Sequence, residues 1–278
     1  MSNTFDADLV VDVISTQTQT ILGNMLAPIG SFATDFSDES IPQEKSIRVP
    51  FATSASAVQT NPTNFETGDT TLDEIVVTVN HYSKSFHITS KELNQGFRLE
   101  KLVQINAQAM ADKLVDIAFA PLTVTNFGTA RAITVAQASI ADANLQSAYA
   151  LIAKSPTKNL ILDGTAYSKF LPTNLESLGT LGRGFNSWHL NTRWDGAGTN
   201  VYGFAGGPNA LGYAARLPDH SAASDMISQT AITIPGIGLP VQINVWFSRS
   251  SRTLWGSMDT MFGVGLGDVT AGALFKSA

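Results

Sequence analysis

The strongest constraint in this chain is a strand-like run of fourteen residues, Ile75 to Ile88. It follows a shorter strand over Ser46 to Thr53 and a stretch of Ala, Ser, Thr, Asn and Gly from Ser54 to Asp73. At about 3.3 Å per residue the run spans roughly 45 Å, against a usual strand of 5–6 residues. Two strands joined in this way make an arm that projects from its domain. An isolated two-stranded ribbon is marginal in water, so a neighbouring subunit is its expected support.

The flanking elements are legible. Leu9, Val10, Val13, Ile14, Ile21, Leu22 and Met25 form a helical stripe over Asp6 to Met25, which Ala27-Pro28-Ile29-Gly30 is expected to break. Residues 27–44 then read as an extended arm without a core of its own, which must lie on something. Phe97 to Phe119 is the clearest helix, with Leu99, Leu102, Val103, Met110, Leu114 and Ile117 on one face and Pro121 closing it. At about 1.5 Å per residue it is roughly 34 Å long, a spine for a whole domain. A strand at Ala132 to Ala136, a helix led by Ser139 and Asp142 as a capping pair, a buried strand at Asn159 to Leu162 and a helix from Asp163-Gly164 to Phe170 make an α+β unit. Residues 175–220, rich in Gly, Trp and Asn, suit long loops, and strands return at Ala231 to Ile234, Val241 to Phe247 and Thr253 to Trp255.

Composition sharpens the case for an assembling protein. The 278 residues carry 17 basic and 23 acidic side chains, 40 in all, where an average soluble chain of this length carries roughly 70. Hydrophobic content is an ordinary 44%, so polar uncharged residues replace the missing charge, as in an interface depleted in Lys, Glu and Asp. No apolar run reaches membrane-spanning length and the N-terminus is acidic, so no membrane segment or signal peptide is expected. With no cysteine, disulfides, thiolate metal sites and a cysteine nucleophile are excluded. The net charge of −6 is concentrated: residues 1–44 hold seven acids and no base, leaving 17 − 16 = +1 for the rest. No basic arm or cluster exists to bind nucleic acid directly.

The search for chemistry returns little. His81 and His87 share a strand face but stand about 20 Å apart, too far for a common metal. His189 and His220 have no His-x-x-x-His partner. The glycines of Gly179 to Gly184 and Gly203 to Gly207 lack the strand and the Lys-Ser/Thr of a phosphate loop. No cofactor is expected. Spacing alone never excludes a Ser/His/Asp triad, so a hydrolase built from the 175–220 loops stays open.

The order of these parts, with Phe86-His87-Ile88-Thr89-Ser90-Lys91-Glu92-Leu93 leading into the spine helix and Asn159 to Gly164 leading into a Tyr/Phe-bearing helix, resembles the major capsid protein of tailed bacteriophages, the Hong Kong 97-like fold. The resemblance covers nearly the whole chain. It implies an α+β architecture of N-arm (1–45), extended two-stranded loop (46–88), peripheral domain with its spine helix (89–121), axial domain (122–248) and C-terminal strands returning to the core (249–278). It further implies a non-enzymatic subunit that self-assembles through hexamers and pentamers into an icosahedral shell around a double-stranded DNA phage genome, made in the host bacterial cytoplasm. DNA would be enclosed without specific binding. A separate scaffolding protein, a portal and decoration proteins are the implied partners.

Two departures matter. No lysine lies between Lys45 and Lys84, so the isopeptide weld that some members form from a loop lysine is expected to be absent. A chain starting at Met1 with this organisation has no room for a long helical N-terminal scaffold, which implies a separate scaffold or a processed form. The expected inter-subunit contacts are Asn61, Asn64, Glu66 and Asp69 on the loop, with Arg48, Lys84, Glu92, Arg98, Glu100 and Lys101 where the arm meets the spine helix. The alternative for the charged set, solvated side chains worth under about 1 kcal/mol each, stays open. An encapsulin-like bacterial compartment on the same fold is the alternative assembly.

Overall fold

The computed structural model describes residues 7–37, 46–54, 60, 71–89, 92, 95–171, 184–191, 193, 200–218, 226–248, 250 and 253–277. In chain order its elements are α1 (Ala7–Phe32), β1 (Ala33–Asp35), β2 (Ser46–Ser54), β3 (Thr71–Thr78), β4 (Asn80–Ile88), α2 (Gly96–Phe119), α3 (Val124–Phe127), β5 (Ala132–Thr134), α4 (Asp142–Leu151) and β6 (Asn159–Asp163). They continue as α5 (Gly164–Ser168), β7 (Ser187–Asn191), β8 (Val201–Gly206), β9 (Leu211–Arg216), β10 (Met226–Ile234), β11 (Leu239–Ser248), β12 (Thr253–Leu266) and β13 (Gly272–Lys276).

Residues four apart, Val10, Ile14, Leu22 and Leu26, put one stripe of α1 into the core, with Thr18 buried in the same row and donating to Met258 Sδ at 3.1 Å. Pro28 does not end this helix; α1 runs through it to Phe32. The proline removes the i+4 donor of the Asn24 carbonyl, but Ile29 and Phe32 beyond it are almost fully buried. Burying two such side chains is worth about 1.5–3 kcal/mol each, enough to offset a disrupted turn. The expected coreless arm is therefore overturned over residues 27–36: this stretch lies on its own subunit. β1 pairs parallel to β9, and Phe36 N donates to Tyr213 O at 2.8 Å.

Strand β12 organises the larger sheet. At fourteen residues it is long enough to pair with β4 along one edge (Leu254 to Phe262), and with β11 (Thr253 to Asp259) and then β9 (Met261 to Leu266) along the other. β10 pairs outside β11. One face of this sheet (Phe86, Ile88, Ile243, Val245, Met258, Phe262) is buried beneath α1 and α2. Helix α2 supplies Leu99, Val103, Ala107, Met110, Ala111, Leu114 and Ala118, the expected spine face.

The second sheet, in the order β5-β13-β8-β6-β7, is buried on both faces. Ile161 and Leu274 belong to the first core, whereas Leu160, Leu162, Ala273 and Phe275 pack with α4 and α5 in a second one. The loop reading of residues 175–220 is overturned where the chain forms β7, β8 and β9. Val-Tyr-Gly-Phe-Ala-Gly lacks alternation because both sides are inside, and its glycines make room for rings and side chains: a Cβ on Gly206 would lie 2.6 Å from the Phe204 ring, and one on Gly203 2.6 Å from Leu162. The helix expected from Ser139 starts later, at Asp142, with Asn144 Oδ1 accepting from Ala141 N at 2.9 Å. Asp163 caps α5 as its position implies, accepting from Ala166 N at 2.8 Å.

Candidate assembly surface

The long run of the sequence divides at Val79. Thr71–Thr78 forms the two-stranded antiparallel ribbon with β2, while Asn80–Ile88 joins the main sheet through β12. The ribbon is held at its base by its own subunit. Ile47, Ile75, Val77 and Val79 pack with Ala214, Phe36 and Met261. β3 approaches β12 closely because that strand carries glycine where they meet: a Cβ on Gly263 would lie 2.1 Å from the Thr78 carbonyl oxygen, and one on Gly265 2.7 Å from that of Val76. Val76 points the other way and is about half exposed.

The predicted contact residues fall into separate places. Arg48 pairs across the ribbon with Glu74 at 3.2 Å, both side chains exposed. Lys84 lies on β4 opposite Met258 of β12. Glu92 Oε2 accepts from Thr89 N at 2.9 Å and from the Thr89 hydroxyl. That hydroxyl, and to a lesser degree the Arg98 guanidinium, hold the Glu92 carboxyl below its ordinary pKa. Arg98, Glu100 and Lys101 stand exposed in the first turns of α2, Lys101 donating to Gln104 Oε1 at 3.0 Å. Asn61, Asn64, Glu66 and Asp69 lie outside the described residues.

A polar network that sequence reasoning missed sits where the ribbon enters the sheet. Asp259, 4% exposed, accepts from Asn244 Nδ2 at 2.8 Å and from the Ser257 hydroxyl at 2.5 Å, and His81 Nε2 lies 3.3 Å from its other oxygen. Strand pairing places Asn244 opposite Ser257, a juxtaposition that no spacing within one strand signals. His189 likewise links elements that spacing does not connect. Its Nε2 lies 2.9 Å from both the Ser31 and Ser187 hydroxyls, joining the end of α1 to β7, and burial lowers its pKa. Among the described residues no carboxylate is paired with this imidazole. Burial raises the pKa of Tyr213, whose hydroxyl donates to Ile237 O at 2.5 Å.

No protein-family model and no curated protein matches this sequence. The fold, by contrast, recurs in solved structures across almost the whole chain. The crystal structure of a virus-like particle from Pyrococcus furiosus matches with a TM-score of 0.55 at 11% identity, covering 95% of this chain and 98% of that one. The capsid of a native GTA particle gives 0.57 at 13% identity (92% and 90% covered), and Mycobacterium phage Adephagia 0.56 at 13% identity (91% and 89%). The chain thus has the mixed α and β fold of phage capsid structures, the Hong Kong 97-like fold. At these identities the likeness is one of fold. Among the described residues no helix is long and apolar enough to cross a membrane.

Proposed function

We propose that this chain is a major capsid protein. It self-assembles as a homo-oligomer, through hexamers and pentamers, into the icosahedral shell of a double-stranded DNA phage, is made in the host bacterial cytoplasm and becomes part of the virion. The observation that carries the proposal is the two-ended match to capsid structures, with more than nine-tenths of this chain covered in each of the three comparisons given above. The shortage of charge supports it, since a shell subunit covers much of its surface with copies of itself. The role is structural and not enzymatic. A scaffolding protein, portal and decoration proteins act as separate partners, and the acidic first 44 residues suit a shell whose wall does not condense DNA.

The test is expression of the full chain followed by sedimentation analysis and electron microscopy. Closed isometric particles support the proposal. A stable monomer at all concentrations that turns over esters or glycosides overturns it in favour of the hydrolase reading. Particles that enclose protein cargo in place of DNA when recovered from their native host assign the chain to the encapsulin-like alternative.

A further inference from the structure

Strand β10 closes one end of the larger sheet and pairs on one side only, with β11. The direction of its free backbone groups follows from the hairpin. The Pro240 carbonyl accepts from the Thr260 hydroxyl of β12 at 2.7 Å, so the polar backbone of Pro240 is turned away from β10. Thr233, its partner in register, is correspondingly turned away from β11, and the Thr233 carbonyl accepts from Gln19 Nε2 of α1 at 3.3 Å. Antiparallel pairs alternate, so Ala231 and Gln229 also aim their N–H and C=O groups outward. These groups have no partner among the described residues, and both side chains are exposed.

Open edges of this length are ordinarily guarded by charge. β4, at another edge of the same sheet, carries Lys84. β10 runs for nine residues, Met226–Ile234, without a charge, a proline or a glycine. Such a strand meets its own copy without opposing like charges, and an icosahedral shell relates copies by two-fold axes. Resting on the capsid reading, we propose that the edge of β10 docks β10 of a second copy, antiparallel about a two-fold axis. Centring on Thr230 overlaps the whole strand and sets outward-facing groups against outward-facing groups. Gln229 then exchanges N–H···O=C bonds in both directions with Ala231 of the second copy, and Ala231 does so with Gln229 of the second copy. Thr230 faces its own counterpart, and the bulge between Met226 and Ser228 lies outside these bonds. Two large sheets become one.

The full chain has no cysteine, so Thr230→Cys places its one thiol at the proposed axis. Facing Cα atoms of a pair that shares no hydrogen bond lie about 4.5 Å apart, within disulfide reach. Ser228→Cys is the control, since it would stand about 14 Å from its counterpart. Oxidised and run unreduced on a denaturing gel, Thr230→Cys should give at least about tenfold more dimer than Ser228→Cys. Adding Ala231→Pro, which removes an outward N–H and leaves the β11 ladder intact, should cut that dimer at least about fivefold with Tm unchanged. Equal cross-linking by the two cysteines, or by neither, in folded variants overturns the pairing. Hydrogen exchange on the parent chain needs no variant: the Gln229 and Ala231 amides should be protected in the oligomer, and rapid exchange there overturns the pairing. Protected amides without the Thr230→Cys cross-link put another strand on this edge and overturn the choice of occupant. Microscopy of the parent decides the capsid reading separately, since β10 dimers that never close into particles overturn that reading and leave the pairing standing.

Discussion

Replacing Gly263 by alanine tests how the ribbon is held. A Cβ there would lie 2.1 Å from the Thr78 carbonyl oxygen and 2.7 Å from its carbon, both backbone atoms that no side-chain rotation can move. Against an optimum of about 3.5 Å, β3 would have to lift by more than about 1 Å. That lift loosens the packing of Ile75, Val77 and Val79 on Ala214 and Met261. Overpacking of this kind costs about 2–3 kcal/mol, and for a chain of this size each kcal/mol lowers Tm by about 2–4 °C. Scanning calorimetry should therefore show Gly263→Ala melting about 4–12 °C lower. Gly164→Ala is the control, because a Cβ on Gly164 meets nothing within 4 Å, and it should be neutral or slightly stabilising. If the two variants melt alike, close approach of β3 to β12 is not what anchors the ribbon. The same pair, imaged as particles, reports whether ribbon position matters to assembly: irregular or open shells are expected from Gly263→Ala alone.

Three further outcomes are expected. Phe204→Ala removes a ring 5.4 Å from both Phe32 and Phe127 and should cost about 3–5 kcal/mol by denaturant titration. Arg48→Ala breaks an exposed pair and should change stability by less than about 1 kcal/mol, so a particle-yield defect with an unchanged Tm would mark Arg48 as an inter-subunit contact. Burial lowers the His189 pKa below its unfolded value of about 6.5, so the unfolded chain binds the extra proton first. Its contribution is complete above about pH 6.5 and is lost as pH falls through the lowered pKa; Tm measured from pH 7.5 to 5 should fall less steeply in His189→Gln than in the parent.

What the sequence revealed followed its periodicities. The spine helix was legible because Leu99, Val103, Met110 and Leu114 mark one face against a polar remainder. Asn159 to Asp163 was legible as an apolar run closed by Asp-Gly. β8 and β9 were not, because strands buried on both sides and filled with Gly and Ala have no alternation to read. Pro28 misled for a related reason: local propensity opposes the helix there, and only burial of Ile29 and Phe32 sustains it. The extended run was correct as chain conformation but wrong as one element, since what divides it at Val79 is a change of pairing partner from β2 to β12. The Arg48–Glu74 pair across the ribbon was not legible, because it needs the register of β2 on β3, and the Asp259 network depends on four residues from three strands.

The junction at Val79 has a mechanical consequence. Ribbon and sheet strand are one polypeptide, and β4 is paired with β12 over nine residues. Tension drawn along β4 runs parallel to that ladder and at right angles to its hydrogen bonds. The bonds are then loaded together in shear and do not open in succession like a zipper. A tug on the ribbon is thus carried straight into β12, the longest strand among the described residues, and through β11 and β9 into the whole sheet.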